Sequence, residues 1–259
     1  MKFYAWSNDK YDQRLSRLID SAKSFEISVE VIGHGRNLNE GGLFKGKNDW
    51  LYERLCELDD DEIVVCTDAY DVIYLSSPSE IEEKFLKMKT PILYGAGYFL
   101  VCCNSNDRKY MDKLANGAFY KYLNSGVVIG YAKNLKLMFE EIELYKPPSR
   151  PHVTYDQGFI TKYYINNSNS MKLDYDTEII WNDMFNYEQW PNKARGRRWN
   201  NLVNKLIDEM ENEYFDENFI DGRLRNKNTK NFPCILHIPG DKYMTRFTDY
   251  LVEKLKNEM

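Results

Sequence analysis

Short apolar runs and longer amphipathic stretches alternate through the first hundred residues. Phe3-Tyr-Ala-Trp6 reads as a strand, and Tyr11–Phe25 carries Leu15, Leu18, Ile19 and Ala22 on one face at helical spacing. Ile27–Ile32 alternates apolar and polar residues and predicts a second strand, closed by Gly33 and Gly35. After a glycine-rich loop with Gly41, Gly42 and Gly46, Trp50–Leu58 has helical periodicity, and Ile63–Thr67 is an unbroken apolar run of strand length. Further on, the pattern predicts a helix over Ser79–Met88 behind Pro78, and strands at Ile92–Tyr94 and Val127–Tyr131. Asn124-Ser-Gly126 reads as the loop before the latter strand. Helices follow at Leu135–Leu144 and Asp156–Ile165, on either side of a Pro147-Pro148 turn.

Strands that alternate with helices pair in parallel, so the fold expected is an α/β sheet, mostly parallel and flanked by helices. Ligands of such sheets bind beyond the carboxyl ends of the strands. Trp199, Leu202, Val203, Leu206, Ile207 and Met210 mark one face of an amphipathic helix inside an otherwise polar stretch. That stretch, about 186–231, is read as a helical elaboration of a single domain spanning 1–259, a lid or an acceptor surface, without repeats or low-complexity linkers.

Composition narrows the function. A hydrophobic share of 43% supplies a core, while a net charge of −5 and a pI near 5.4 argue against an extended basic face for nucleic acid. The basic cluster Lys193-Ala-Arg-Gly-Arg-Arg198 reads as a solvated loop. The first residues lack the apolar core of a signal peptide, and no run is long enough to span a bilayer. Cys56, Cys66, Cys102, Cys103 and Cys234 contain no C-x-x-C pair, so the chain is expected to be a reduced, soluble, cytoplasmic protein without a structural zinc site.

Three segments carry candidate chemistry. The strand ending at Thr67 runs into Asp68 and Asp71, and charge at a buried strand end needs a neutralising partner. A divalent cation such as Mg²⁺ or Mn²⁺ would hold both carboxylates ionised and complete its shell with phosphate oxygens; a capped turn would explain the same spacing. Aspartyl phosphohydrolases want the second acid two residues after the first, and here that position is Tyr70. Near the C-terminus, His237 follows an apolar run, with Gly240 and Lys242 close behind. An imidazole beside two carboxylates makes a borderline site that accepts Mn²⁺, glycine permits close backbone approach and lysine meets phosphate; a strand end with a surface lysine would look the same. Finally, Leu123-Asn-Ser-Gly126 and Asp156-Gln157 offer groups that could reach a sugar hydroxyl, or serve as loop and helix-cap residues.

The order of these segments resembles a metal-dependent, UDP-sugar-using glycosyltransferase of the GT-A type with its Rossmann-like sheet. Within that class it is similar to the glycosyltransferase domain of collagen lysyl hydroxylases, the procollagen galactosylhydroxylysine glucosyltransferases, most clearly at Thr67-Asp-Ala-Tyr-Asp-Val72, Leu123-Asn-Ser-Gly126 with Ile129-Gly130, and Asp156-Gln157 with Thr161. The resemblance implies metal ligation by Asp68, Asp71 and His237, uracil stacking by Tyr70, nucleotide contacts from Lys47, Gly240 and Lys242, and donor-sugar contacts from Asn124, Asp156 and Gln157. It further implies Mn²⁺ or Mg²⁺ as cofactor, UDP-glucose or UDP-galactose as donor, a glycan or protein hydroxyl as acceptor, collagen-like in the family, and retention at the anomeric carbon. A glycogenin-like self-glycosylating transferase and a non-catalytic nucleotide-sugar-binding module remain the alternatives. Two departures stand out: Thr154 and Tyr155 replace the acidic run that the family carries before Asp156, and Tyr98-Phe-Leu-Val-Cys-Cys103 lacks the family's tryptophans on the acceptor side.

Overall fold

The computed structural model describes residues 1–37, 45–99, 105–143, 156–182, 201, 204–205, 208, 218–239 and 245–258. Its elements run in the order β1 (Lys2–Trp6), α1 (Leu15–Ser24), β2 (Val29–Ile32), α2 (Lys45–Leu55), β3 (Ile63–Asp68), β4 (Val72–Tyr74), α3 (Pro78–Met88), β5 (Ile92–Gly97) and α4 (Ser105–Ala115). Then come β6 (Tyr122–Tyr131), α5 (Ala132–Glu143), α6 (Asp156–Asn166), β7 (Lys172–Asp174), β8 (Ile180–Asn182), β9 (Phe219–Ile220), β10 (Arg223–Leu224), β11 (Ile235–His237) and α7 (Thr245–Glu258).

The main sheet has the order β2-β1-β3-β6-β5-β7. Five strands share one direction, and β6 alone runs against its neighbours β3 and β5. Strand alternation sorts the core into two layers. Tyr4, Trp6, Val64 and Cys66 face one side, packed with Leu51 and Leu55 of α2 and Leu135, Met138 and Phe139 of α5. Phe3, Ala5, Ile63 and Val65 face the other, against Leu15, Leu18 and Ala22 of α1 and Ile81 and Phe85 of α3. β3 is apolar on both faces because both are covered, which is why it reads as a continuous run rather than an alternation.

Several elements depart from the periodicity, among them α2, which begins at Lys45 and takes in Gly46 of the expected loop. The first helix begins at Leu15 rather than Tyr11 because Asp9 and Asp12 hold turns of their own: their carboxylates accept from the N–H of Tyr11 and Arg14, each at 2.9 Å. Asn124-Ser-Gly126 is not a loop before the strand but lies inside β6. There the ladder is interrupted: Tyr94 pairs with Val128, yet the next residue, Gly95, pairs with Asn124. The residues between are pushed out of register at the carboxyl end of β5. Helix α4 has no counterpart among the sequence expectations. By contrast α3 follows its signals, with Pro78 in the first turn, Ser77 accepting from the Glu80 N–H and Lys89 in the left-handed conformation at its end.

A smaller sheet, β4-β11-β8, completes the site end of the molecule. β11 runs antiparallel to β4 and parallel to β8, which sets His237 opposite both Val72 and Asn182. The Ile238 N–H donates to the Asp71 carbonyl at 2.8 Å, so the turn carrying the acidic pair is stitched to the chain beyond His237. Most of 186–231 lies outside the described residues, as do Gly240, Lys242, Thr154, Tyr155, Cys102 and Cys103. Among the described residues no helix is long and apolar enough to cross a membrane.

Candidate active site

Asp68 is the last residue of β3 and Asp71 the last before β4, so the tight link between a strand of each sheet turns both carboxylates toward the same space. His237 closes it. Its Nε2 lies 3.7 Å from Asp68 Oδ2 and 3.5 Å from Asp71 Oδ2, and the three candidate ligand atoms lie within 4.8 Å of one another. His237 is 2% exposed and its Nε2 has no hydrogen-bond partner, while its Nδ1 stands 2.8 Å from Asn182 Oδ1.

A buried nitrogen without a partner is costly, and two adjacent carboxylates repel each other. A divalent cation would relieve both at once, and two carboxylate oxygens with one imidazole nitrogen suit Mn²⁺ or Mg²⁺. The donor set therefore fits a metal. The alternative of a capped turn with Asp71 facing solvent does not match this convergence.

Lys47, near the start of α2, supplies positive charge and pairs with Asp68. Burial favours its neutral form, but the carboxylates of Asp68, Asp156 and Asp71 outweigh burial and raise its pKa. Trp6 steadies it: the indole N–H donates to the Lys47 carbonyl at 2.7 Å, and the ammonium lies 5.6 Å from the indole ring centre. Asp156 opens α6 and is buried; burial raises its pKa, Lys47 opposes that, and Asp68 adds to it. Ser125, in the displaced part of β6, links it to the rest. Its hydroxyl donates to Asp156 Oδ2 at 3.2 Å and its N–H to Gln157 Oε1 at 3.2 Å. Asn124, half-buried on the same segment, accepts from the Gly126 N–H at 2.8 Å.

Tyr70 sits between the acids with its hydroxyl 2.7 Å from Ser7 Oγ. The guanidinium of Arg14 lies 4.0 Å from its ring centre, held there by Asp12, whose carboxyl is kept low chiefly by that hydrogen-bonded partner. Arg14 thus stacks on the ring expected to meet a base.

The structure accordingly brings Asp68, Asp71 and His237 together, with Lys47 and, through Ser125, Asp156 and Gln157 around them. Sequence reading gave no site role to Asn182, Gly95, Arg14 and Trp6. For Asn182 a signal existed: Ile179-Ile-Trp-Asn182 is an apolar run ending in a polar residue, the pattern that singled out Asp68.

Comparison with known proteins gives this geometry a family. The family described as PLOD GT domain matches residues 7–259, and the chain belongs to it. Human procollagen-lysine,2-oxoglutarate 5-dioxygenase 2 is 31% identical over 157 residues, 58% of this chain and 20% of that protein. Human multifunctional procollagen lysine hydroxylase and glycosyltransferase LH3 is 26% identical over 235 residues, 86% of this chain and 28% of LH3. The chain thus spans well under half the length of these curated relatives. Among solved structures, an active-site mutant of LgtC superposes with a TM-score of 0.52 at 15% identity, over 99% of this chain and 95% of that one. Mouse xyloside xylosyltransferase 1 gives 0.50 at 10% identity, over 93% and 98%. At such identities the likeness speaks for the fold, which is of the GT-A type.

Proposed function

We propose that this member of the PLOD GT-domain family transfers a hexose, glucose or galactose, from a UDP-sugar to a hydroxyl acceptor such as hydroxylysine-linked galactose of a collagen-like protein. The observation that carries the reading is the buried, unpartnered Nε2 of His237 facing Asp68 and Asp71. These three residues would hold Mn²⁺ or Mg²⁺, whose contribution when bound is to neutralise charge on the diphosphate.

The remaining roles belong to the chain's own side chains. Lys47 stays cationic in its ring of carboxylates and is poised to exchange Asp68 for a phosphate oxygen. Gly240 and Lys242 are assigned to the same diphosphate by their places three and five residues after His237 in the sequence motif His-x-x-Gly-x-Lys. Asn124 and Gln157 offer amides to the donor hydroxyls, and Tyr70, backed by Arg14, offers its ring to the base. Asp156 faces the positive charge that grows on the sugar as the bond to UDP breaks; its anchoring by Ser125 limits it to orienting and stabilising. The acceptor oxygen takes the place of the departing phosphate oxygen on the same face, and its proton goes to that phosphate.

Incubation with a panel of UDP-sugars, with Mn²⁺ or with chelator, tests the reading through UDP release. Metal-dependent release from one UDP-hexose is expected, and loss of it in His237→Ala. Release that ignores the chelator, or survives that substitution, overturns it.

A further inference from the structure

Asn182 ends β8 beside His237 in the small sheet and is 3% exposed. Its side chain meets two groups: Nδ2 donates to the Ala96 carbonyl at 3.2 Å, and Oδ1 lies 2.8 Å from His237 Nδ1. Turning the amide over would set its oxygen against the Ala96 carbonyl, two acceptors face to face. The carbonyl oxygen of Asn182 must therefore accept, and the hydrogen between the two residues belongs to His237 Nδ1. A neutral imidazole has only one N–H, so Nε2 carries a lone pair. In that neutral ring the lone pair faces Asp71 Oδ2 at 3.5 Å and Asp68 Oδ2 at 3.7 Å.

Two glycines make room for this pair. A Cβ on Gly95 would fall 2.1 Å from Asn182 Nδ2, and one on Gly126 would fall 2.1 Å from His237 Cε1. The displaced segment of β6 and the end of β5 thus press backbone directly against the amide and the ring. A side chain at either glycine would displace the amide or the ring.

We propose that Asn182 is a positioning residue: it holds His237 in the Nδ1–H tautomer, so that Nε2 is bare toward the two carboxylates before any cation arrives. The proposal rests on the metal reading above, and adds to it a specific device for preforming the site. Outer partners of this kind typically contribute 10- to 100-fold in metal affinity, on the order of what is expected here.

The tautomer can be read directly. Only three histidines occur in the chain, so long-range proton–nitrogen correlation spectra of metal-free protein with ¹⁵N-labelled histidine, at about pH 8 where an ordinary imidazole is neutral, resolve His237 by comparison with His237→Gln. An Nδ1–H ring with an unprotonated Nε2 is expected in the wild type; an Nε2–H or doubly protonated ring overturns the proposal whatever any variant does. Asn182→Ala should release the ring into a mixture of tautomers and weaken Mn²⁺ binding, followed by electron paramagnetic resonance with and without UDP, by about 10- to 100-fold. A folded Asn182→Ala that keeps both wild-type tautomer and wild-type Mn²⁺ affinity also overturns it. Wild-type protein that shows the Nδ1–H ring yet binds no Mn²⁺ supports the lock and sinks the metal reading, so the two fail separately.

Discussion

Two polar clusters in this molecule, each centred on a buried side chain, Asp174 in one and His237 in the other, end in opposite states. At the far end of β7, the Asp174 carboxylate accepts from the N–H groups of Glu178, Ile179 and Ile180 at 2.7 to 2.9 Å. Nearby Lys84 donates to the carbonyls of Glu178 and Phe232 and pairs with Glu80, which also takes Arg223. At the corner of Asp68, Asp71 and His237, Lys47 pairs with Asp68, and the buried Nε2 of His237 faces both carboxylates without a hydrogen-bond partner. A completed network ties loops to the sheet and ends there; an incomplete one, held rigid by its surroundings, keeps its unmet valences for a ligand.

The comparison breaks most sharply at Asp71. Asp71→Ala should lower metal-dependent UDP affinity by more than about 100-fold, beyond what an outer partner contributes. The same change removes one of two repelling carboxylates, so thermal stability should hold or rise slightly. Calorimetry with UDP and Mn²⁺, beside a melting curve, checks both; tight metal-dependent binding by the variant would mean that the corner is not the site.

Asp174 should behave in the reverse way. Asp174→Ala leaves three backbone N–H groups without their acceptor and should cost about 3 kcal/mol in urea unfolding, with UDP affinity of the folded fraction unchanged. A pH signature accompanies it. Burial pushes the Asp174 carboxyl up to about 6, although three N–H donors pull the other way. An ordinary aspartate titrates near 4, so between about pH 4 and about pH 6 the folded chain keeps a proton that the unfolded chain has lost. The sign follows: this group's contribution is fully present below about pH 4 and is lost as pH rises through about 6, by up to about 3 kcal/mol. Asp174→Asn cannot titrate, so its stability should gain on the wild type across that window. Parallel curves from pH 4 to 7 would refute the assignment.

The mildest effect belongs to the cap of α3, the helix that carries Lys84 and Glu80. Ser77 accepts from the Glu80 N–H, and Ser77→Ala should cost about 1 kcal/mol without touching nucleotide binding. A change in UDP affinity there would show that the two clusters are coupled, and the contrast between them would fail.

Much of the framework was legible in the residue pattern. β1, β3 and α3 stand close to where apolar period, proline and capping residues put them, because those signals act within a few residues. β6 shows where such reading stops. Asn124-Ser-Gly126 has loop composition, yet the segment belongs to a strand whose register is broken to meet β5 and to receive the His237 ring. Tyr70 is similar: its position between the acids is plain in the sequence, but the Arg14 stack on its ring depends on turns held by Asp9 and Asp12.

By itself, then, the chain order determined that apolar strands end in charge, that Asp68 and Asp71 share one turn, and that one histidine follows a late apolar run. The family resemblance joined them into a metal set without saying how they meet. Only the tertiary structure decided that β11 lies between β4 and β8, which makes His237 the neighbour of Val72 on one side and Asn182 on the other. The reason is physical: period and capping are local, whereas strand partner and register are fixed by burial across the whole sheet, where a slip of one residue would turn His237 away from both carboxylates.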